Sequence, residues 1–216
     1  MTNYNKEFEV NKHIPNAHKV INSSKERSNK FRTYMLKEKK AQLDIKYGQN
    51  DRNVMDVFSP GPLVRCTLIF LHGGYWLNSD KSEWSHLASG SVQSNIRVVI
   101  PNYSLCPDAS ITDIILEIQQ CIEFVAKKYF GPIIIAGHQA GGLLAARMAC
   151  MKMLSASTVA RISHVMPISP ISDLRPLVHT TMNNEVALSE ELAIKESPAL
   201  LALDQDIMVT VWIGSD

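Results

Sequence analysis

The chain has 216 residues, of which 45% are hydrophobic, 7% aromatic and 20% charged, a composition that buries a sizeable core as one large domain and excludes disorder, collagen and coiled coil. Its formal net charge of +1 conceals an asymmetry, because 12 of the 22 Lys and Arg but only 6 of the 21 Asp and Glu lie in residues 1–52. The longest apolar runs, Thr67 to Leu71 and Pro132 to Ala136, fall far short of the ~20 residues of a bilayer span, and no apolar stretch follows Met1, so a cytoplasmic protein with no membrane partner is expected.

Cys66, Cys106, Cys121 and Cys150 lie far apart and none belongs to a CxxC pair. Free thiols packed as small hydrophobes are expected, with neither a disulfide framework nor a metal site, and no cofactor motif is present. Met148, Met151 and Met153 read as helix packing rather than as soft-metal ligands.

In chain order, Ser23 and Glu26 have the spacing of a capping box, and neither Gly nor Pro interrupts the chain from there to about Gln42, which predicts a charged, peripheral helix. The bases from Lys25 to Lys40 would suit a nucleic-acid arm, but acids interrupt them and only Phe31 and Tyr34 are placed to stack on bases; a solvated helix face and no nucleic-acid partner are expected. Leu43, Ile45 and Tyr47 alternate with Asp44 and Lys46, and Val54 with Asp56 less cleanly, around Gly48-Gln49-Asn50. This pattern predicts a hairpin at a sheet edge. Residues 1–42 are therefore expected to be an N-terminal helical extension and 43–216 the folded domain.

From residue 65 the chain turns to short, nearly continuous apolar runs: Cys66 to Leu71, Ile96 to Ile100, Ile133 to Ala136, Val165 to Ile168 and Ile207 to Ile213. Such runs are strands buried on both faces, as in a parallel sheet. Between the second and third, Ile111, Ile114, Ile115, Ile118, Ile122, Val125 and Tyr129 recur at helical spacing behind a Ser110 cap with Asp113 at its third position. A second helix is expected from about Gln139 through Met148. The alternation predicts an α/β fold, with a mostly parallel central sheet flanked by helices.

Sites in such sheets form outside the carboxyl ends of the strands. Two of these loops are unusual. His72-Gly73-Gly74-Tyr75-Trp76 follows a strand directly, and paired glycines there let backbone N–H groups converge on a developing oxyanion. Gly137-His138-Gln139-Ala140-Gly141-Gly142 lies between a strand and a helix, with small residues at the first, fourth and fifth positions, the frame of a nucleophile elbow G-x-S-x-G. Gln139 stands at the nucleophile position.

These motifs, with Lys81, Asn102-Tyr103, Leu105, Pro107, Ile168-Ser169, Asp173-Leu174, Pro176-Leu177, Asn183 and Ser197-Pro198 in order, resemble the α/β-hydrolase fold family, and within it the kynurenine formamidase-like hydrolases and their carboxylesterase relatives. The resemblance runs from about Tyr47 to the end of the chain. It implies a small-molecule amide or ester substrate, split through an acyl-enzyme by a Ser nucleophile, an Asp after the seventh strand and a His after the eighth. It places the oxyanion hole at the backbone of Gly73, Gly74 and Tyr75 with Ala140, and the candidate acid at Asp216. It also points to Tyr75, Trp76, Tyr103, His138 and Asn183 as substrate-binding candidates.

Two departures from the family pattern bear on activity. A Gln carboxamide is a poor nucleophile, since its nitrogen lone pair is delocalised and an imidazole cannot activate its oxygen, so family-type acyl transfer is expected to be impaired. A non-catalytic protein that binds an acyl or aromatic ligand is the alternative. In addition, no His follows Asp216, and none of His13, His18, His72, His86, His138, His164 and His179 can be carried onto the triad position. The last strand and helix of the fold are expected to be missing, which would leave the seventh strand as an edge prone to homo-oligomeric association.

Each motif also has a plainer reading. The Gly-rich turn after Ala136 also suits a phosphate-binding loop, although its spacing fits neither GxGxxG nor a P-loop. His138 more readily packs beneath the sheet end than serves as a base, and Tyr75 and Trp76 suit a pocket or a core equally. Tyr103, Asn183 and Asp173 are as well suited to capping turns as to orienting loops over a site.

Overall fold

The structure, a computed structural model, describes residues 3–8 and 15–214. Six strands build one sheet: β1 (Ala41–Lys46), β2 (Val54–Phe58), β3 (Cys66–Leu71), β4 (Ile96–Pro101), β5 (Ile133–His138) and β6 (Ile162–Ile168), laid side by side as β1-β2-β4-β3-β5-β6. The hairpin expected from the alternating Leu43, Ile45 and Tyr47 is β1 and β2, antiparallel, with β1 at the edge. β2 joins β4 antiparallel, and β4, β3, β5 and β6 follow in parallel register.

The parallel strands are mainly apolar because both faces are covered. On one face Ile69, Leu71, Val99, Ile133 and Ile135 pack with the helices Ile111–Lys128 and Ala140–Met148. Phe70, Val98, Ile100 and Ala136 form the other layer, with Met35 and Ala88. The Ile111–Lys128 helix starts as the sequence predicts: Ser110 Oγ accepts the Asp113 N–H at 3.2 Å and the Asp113 carboxylate accepts the Ser110 N–H at 3.0 Å. Its Ile111, Ile114, Ile115, Ile118, Ile122 and Val125 are buried in one stripe, each worth roughly 1.5–3 kcal/mol of transfer free energy.

Two expectations are corrected. The basic helix spans Ala17–Lys37, preceded by Asn16 in the left-handed conformation, so Ser23 and Glu26 are interior helix residues and not a capping box; Gln42 belongs to β1. Nor is the helix peripheral. Arg32 pairs with the fully buried Asp56 of β2, and Ser28, itself fully buried, donates to the Glu83 carbonyl at 2.7 Å. Periodicity could not reveal this, because the inward face of the helix mixes Phe31 and Met35 with the polar Ser28 and Arg32. Residues 207–213, expected as a seventh strand, do run alongside β6, with the Val165 N–H donating to the Met208 carbonyl at 2.8 Å and the Trp212 N–H to that of Pro167 at 2.9 Å. They meet β6 only at isolated bridges, Val165 with Val209 and Ile168 with Trp212. Val211, Trp212 and Ile213 are exposed, so packing does not flatten this segment into a continuous strand.

Candidate active site

β5 ends at His138, and the helix Ala140–Met148 begins two residues later. Gln139 alone makes the turn, with φ 56° and ψ −112°. A non-glycine residue in this region stores about 1–3 kcal/mol of strain, and the neighbours show what imposes it. A Cβ on Gly137 would lie 2.0 Å from the Gly141 carbonyl oxygen, and one on Gly141 would lie 2.1 Å from that of Leu71. Strand, turn and helix are pressed so closely that these two positions admit no side chain. The main chain of Gln139 is held by its N–H donating to the Ile168 carbonyl at 3.0 Å and its carbonyl accepting from Leu143 at 3.1 Å.

The second loop faces this elbow. Gly74 has φ 118°, and Tyr75 and Trp76 are both left-handed, with φ of 54° and 61°. The turn is closed by the Leu77 N–H donating to the Gly74 carbonyl at 3.0 Å and by the Cys106 N–H donating to the Trp76 carbonyl at 2.8 Å. The consequence is that the amides of Gly74 and Tyr75 aim at one point. That point is occupied by Oε1 of Gln139, which accepts from Gly74 N at 2.8 Å and from Tyr75 N at 3.2 Å. The side-chain carbonyl oxygen of Gln139 thus fills the point on which two backbone donors converge. Of the expected cradle residues, Gly74 and Tyr75 supply these donors. Gly73 contributes its carbonyl as acceptor to His72, and Ala140 is the buried first residue of the helix.

Tyr75 is half-buried beside the carboxamide. Its hydroxyl donates to the Phe8 carbonyl at 2.6 Å, and its ring meets that of Phe8 edge-on at 6.5 Å. Burial raises the phenol pKa, with the Gln139 side chain opposing the shift. The short helix Tyr4–Phe8 is anchored further by the Asn5 side chain, which accepts from the Thr181 N–H at 2.7 Å, and by Tyr4 stacking on His179 at 5.9 Å. No feature of the sequence before residue 9 pointed to this contact.

Behind the cradle lies a polar support. His72 is fully buried, and its Nδ1 donates to the Gly73 carbonyl at 2.8 Å. A carbonyl only accepts, so Nδ1 carries the proton. Burial pushes the His72 pKa down to about 4, so the ring is neutral near pH 7. Tyr103, also fully buried, donates its hydroxyl to the His72 carbonyl at 2.7 Å. Asn102 accepts from the Lys81 N–H at 2.7 Å and donates to Asp80 at 2.5 Å. Although burial opposes it, donors from Ser82 and Asn102 and the charge of Lys81 hold the Asp80 carboxyl well below the usual carboxylate range. Lys81 itself is buried between Asp44 at 2.7 Å and Asp56 at 3.1 Å, and Asp56 also carries Arg32. Sequence reasoning missed this chain of charges because Arg32 lies among helix charges that resemble solvated ones.

The remaining candidates make contacts within the fold. Trp76 is fully buried in the core and His138 packs on Trp84 at 5.8 Å, where burial lowers its pKa. Asn183 closes a turn, donating to the carbonyls of Val178 and Leu188 at 3.3 and 2.9 Å and accepting from the Leu188 N–H at 2.8 Å. Asp173 pairs with Arg175 at 2.7 Å, and Ser197 accepts from the Leu174 N–H at 2.8 Å. His86 bonds Ser28, and His164 bonds Thr210. His13 and Asp216 lie outside the described residues. Cys106, Cys121 and Cys150 are buried free thiols. Among the described residues, no cluster of His, Cys, Asp and Glu has a metal-binding arrangement, and no helix is long and apolar enough to cross a membrane.

Residues 68–208 match the family model described as the alpha/beta hydrolase fold. The kynurenine formamidase of Danio rerio is 29% identical over 165 residues, which are 73% of this chain and 55% of that protein; that of Salmo salar is 29% identical over 167 residues, with 74% and 55% covered. The chain therefore spans about half the length of these curated relatives. A structure from Silicibacter sp. TM1040, described as a candidate thioesterase, is 38% identical and superposes with a TM-score of 0.94, covering 100% of this chain and 81% of that one. Esterase B from Lactobacillus rhamnosis, 16% identical with a TM-score of 0.65 over 81% of this chain and 75% of its own, shares the fold.

Proposed function

Because the chain belongs to the alpha/beta hydrolase fold family, we propose that it is a hydrolase of kynurenine formamidase and esterase type, built around small amides or esters, whose acyl-transfer step is disabled at residue 139. The observation that carries this reading is the Gln139 carboxamide on the Gly74 and Tyr75 amides. The elbow and the cradle keep the geometry of acyl chemistry, while the group presented between them cannot attack a carbonyl. In a Ser hydrolase, loss of the nucleophile alone costs roughly 10⁶ in turnover, with ~10³ to 10⁴ over water remaining from the oxyanion hole and binding. The wild-type chain is expected to give no stoichiometric adduct with a fluorophosphonate and no turnover of p-nitrophenyl acetate or an aryl formamide beyond that residual rate. An adduct on the elbow peptide, or saturable turnover well above ~10⁴ over water, would show that acyl transfer survives.

The non-catalytic alternative, a protein that binds an acyl or aromatic ligand without reaction, draws support from the same cradle, whose donors already hold a carbonyl oxygen. Saturable heat on titrating wild-type protein with benzoate favours it; a flat titration of folded protein removes it.

A further inference from the structure

The two ends of the sheet differ in character. The elbow sits where β5 stops, at His138, whereas the four parallel strands begin together at the opposite end, with Cys66 beside Ile96 and Ile133 beside Thr67 and Ile162. The segments leading into them are tied to one another: the Arg65 N–H donates to the Asn95 carbonyl at 2.9 Å, the Thr67 N–H to that of Pro132 at 2.9 Å, and the Ile133 N–H to that of Arg161 at 2.8 Å. Segments 59–65, 94–97, 127–132 and 160–163 carry Arg65, Arg97, Lys127, Lys128 and Arg161 and no acid. Lys37, Lys39 and Lys40 extend the same end, since the Ser59 N–H donates to the Lys40 carbonyl at 2.8 Å and the pairs Ala41–Phe58 and Phe58–Val98 continue the register. Glu38 stands among them; Glu123, a turn before Lys127, is engaged by Ser155 and Thr158, and Asp204 and Asp206 lie at the margin beyond Ile162. Among the described residues none of these eight bases is paired with a carboxylate. Arg161 donates to the neutral Gly131 carbonyl at 2.7 Å, which leaves its charge uncompensated. With a chain total of +1, the rest of the molecule is net negative.

Two large apolar side chains stand in the midst of these bases. Phe130, two residues after Lys128, is 92% exposed, and Leu63, two residues before Arg65, is 76% exposed. A single exposed apolar residue is ordinary. Two of them on loops that otherwise carry bases match a partner with an anionic layer over an apolar one. Nucleic acid would satisfy the charges but give Leu63 nothing to bury against, whereas a bilayer supplies both layers. We propose that this end of the sheet docks on an anionic phospholipid bilayer, with the bases at the headgroups and Phe130 and Leu63 at the acyl boundary. No helix among the described residues is long and apolar enough to cross a membrane, but surface attachment requires none, so the sequence-based expectation of no membrane partner is revised here. Docked in this way, the chain holds its elbow at the end of the sheet that faces away from the lipid.

Co-sedimentation of the whole chain with vesicles of phosphatidylcholine containing about one-third phosphatidylserine is the direct test. Near ~0.1 M salt, binding is expected to be at least ~tenfold tighter than to phosphatidylcholine alone, and to weaken as salt rises. Lys128→Glu should weaken it by roughly fivefold or more, the factor that one base near such a surface contributes. Lys46→Glu makes the same change in net charge on an exposed residue at the other end of the sheet, where β1 stops, and should leave binding within about twofold. Leu63→Ser with Phe130→Ser should cost at least ~tenfold while leaving the salt dependence unchanged. No binding to the anionic vesicles, equal binding to neutral and anionic vesicles, equal losses in Lys128→Glu and Lys46→Glu, or full affinity in the double serine variant would overturn the proposal. A DNA duplex bound as tightly as the vesicles would overturn it too. The altered side chains are exposed, and the comparison between vesicle compositions needs no variant, so a folding defect leaves the test intact. Neither Gln139 nor the cradle takes part, so these outcomes are independent of fluorophosphonate labelling and of the disabled-hydrolase reading.

Discussion

The hydroxyl of Tyr103 donates to the carbonyl of His72 at 2.7 Å, while the two rings stack with centroids 4.4 Å apart. This contact fixes the start of the loop that presents the Gly74 and Tyr75 amides. Tyr103→Phe preserves the stack and leaves the buried His72 carbonyl without that donor, which should cost about 1–2 kcal/mol. Urea unfolding measures the loss, and an unchanged midpoint would mean that the loop is held from elsewhere.

Arg32 joins the N-terminal helix to Asp56 inside the sheet. Removing one partner of a buried ion pair typically costs about 3–5 kcal/mol; Lys81 at 3.1 Å remains to compensate Asp56, so Arg32→Ala should fall at or somewhat below the lower end. Chemical denaturation checks this, with a loss under about 0.5 kcal/mol counting against a structural role for the helix.

Two glycines give a sharp contrast. Gly141→Ala places a methyl group 2.1 Å from the Leu71 carbonyl oxygen, so the variant should fail to fold or lose the elbow. In the helix Ala88–Gln93, a Cβ on Gly90 meets nothing within 4 Å, and Gly90→Ala should stabilise by roughly 0.4–1 kcal/mol. Thermal melts of both variants provide the comparison, and a stable Gly141→Ala protein would refute the packing argument.

His72 makes stability depend on pH. Its folded pKa of about 4 lies below the ordinary value of 6.5, so the unfolded chain takes up a proton that the folded chain refuses. Stability is intact above pH 6.5, declines as pH falls toward 4, and loses nothing further from this group below that. Across the whole window the effect is at most about 3 kcal/mol. Burial also lowers the pKa values of His86 and His138, so the contribution is isolated by His72→Asn, whose amide can still donate to the Gly73 carbonyl. Urea midpoints at pH 7 and pH 4.5 should differ less in the variant than in wild type.

Local signals were legible where a single element carried them. The Ser110–Asp113 box, the apolar stripe that follows it, the alternation of β1 and the small residues at 137, 140 and 141 each reflect a constraint between near neighbours, and each is present in the fold. The elbow and the His72–Trp76 loop were readable for the same reason: a tight turn dictates residue size locally. The start of the basic helix was misplaced because a capping-box spacing recurs by chance among polar residues and has no force inside a helix that begins earlier, at Ala17.

What the sequence determined by itself is the alternation of strands and helices, the tight Gly-rich turn after β5, and the presence of a carboxamide side chain within it. Only the tertiary structure decided where that carboxamide goes. Gly74 and Gln139 are 65 residues apart, and no local rule brings them together. They meet because β3 and β5 are adjacent parallel strands, which sets the loops after them side by side and turns two backbone donors toward one side-chain oxygen.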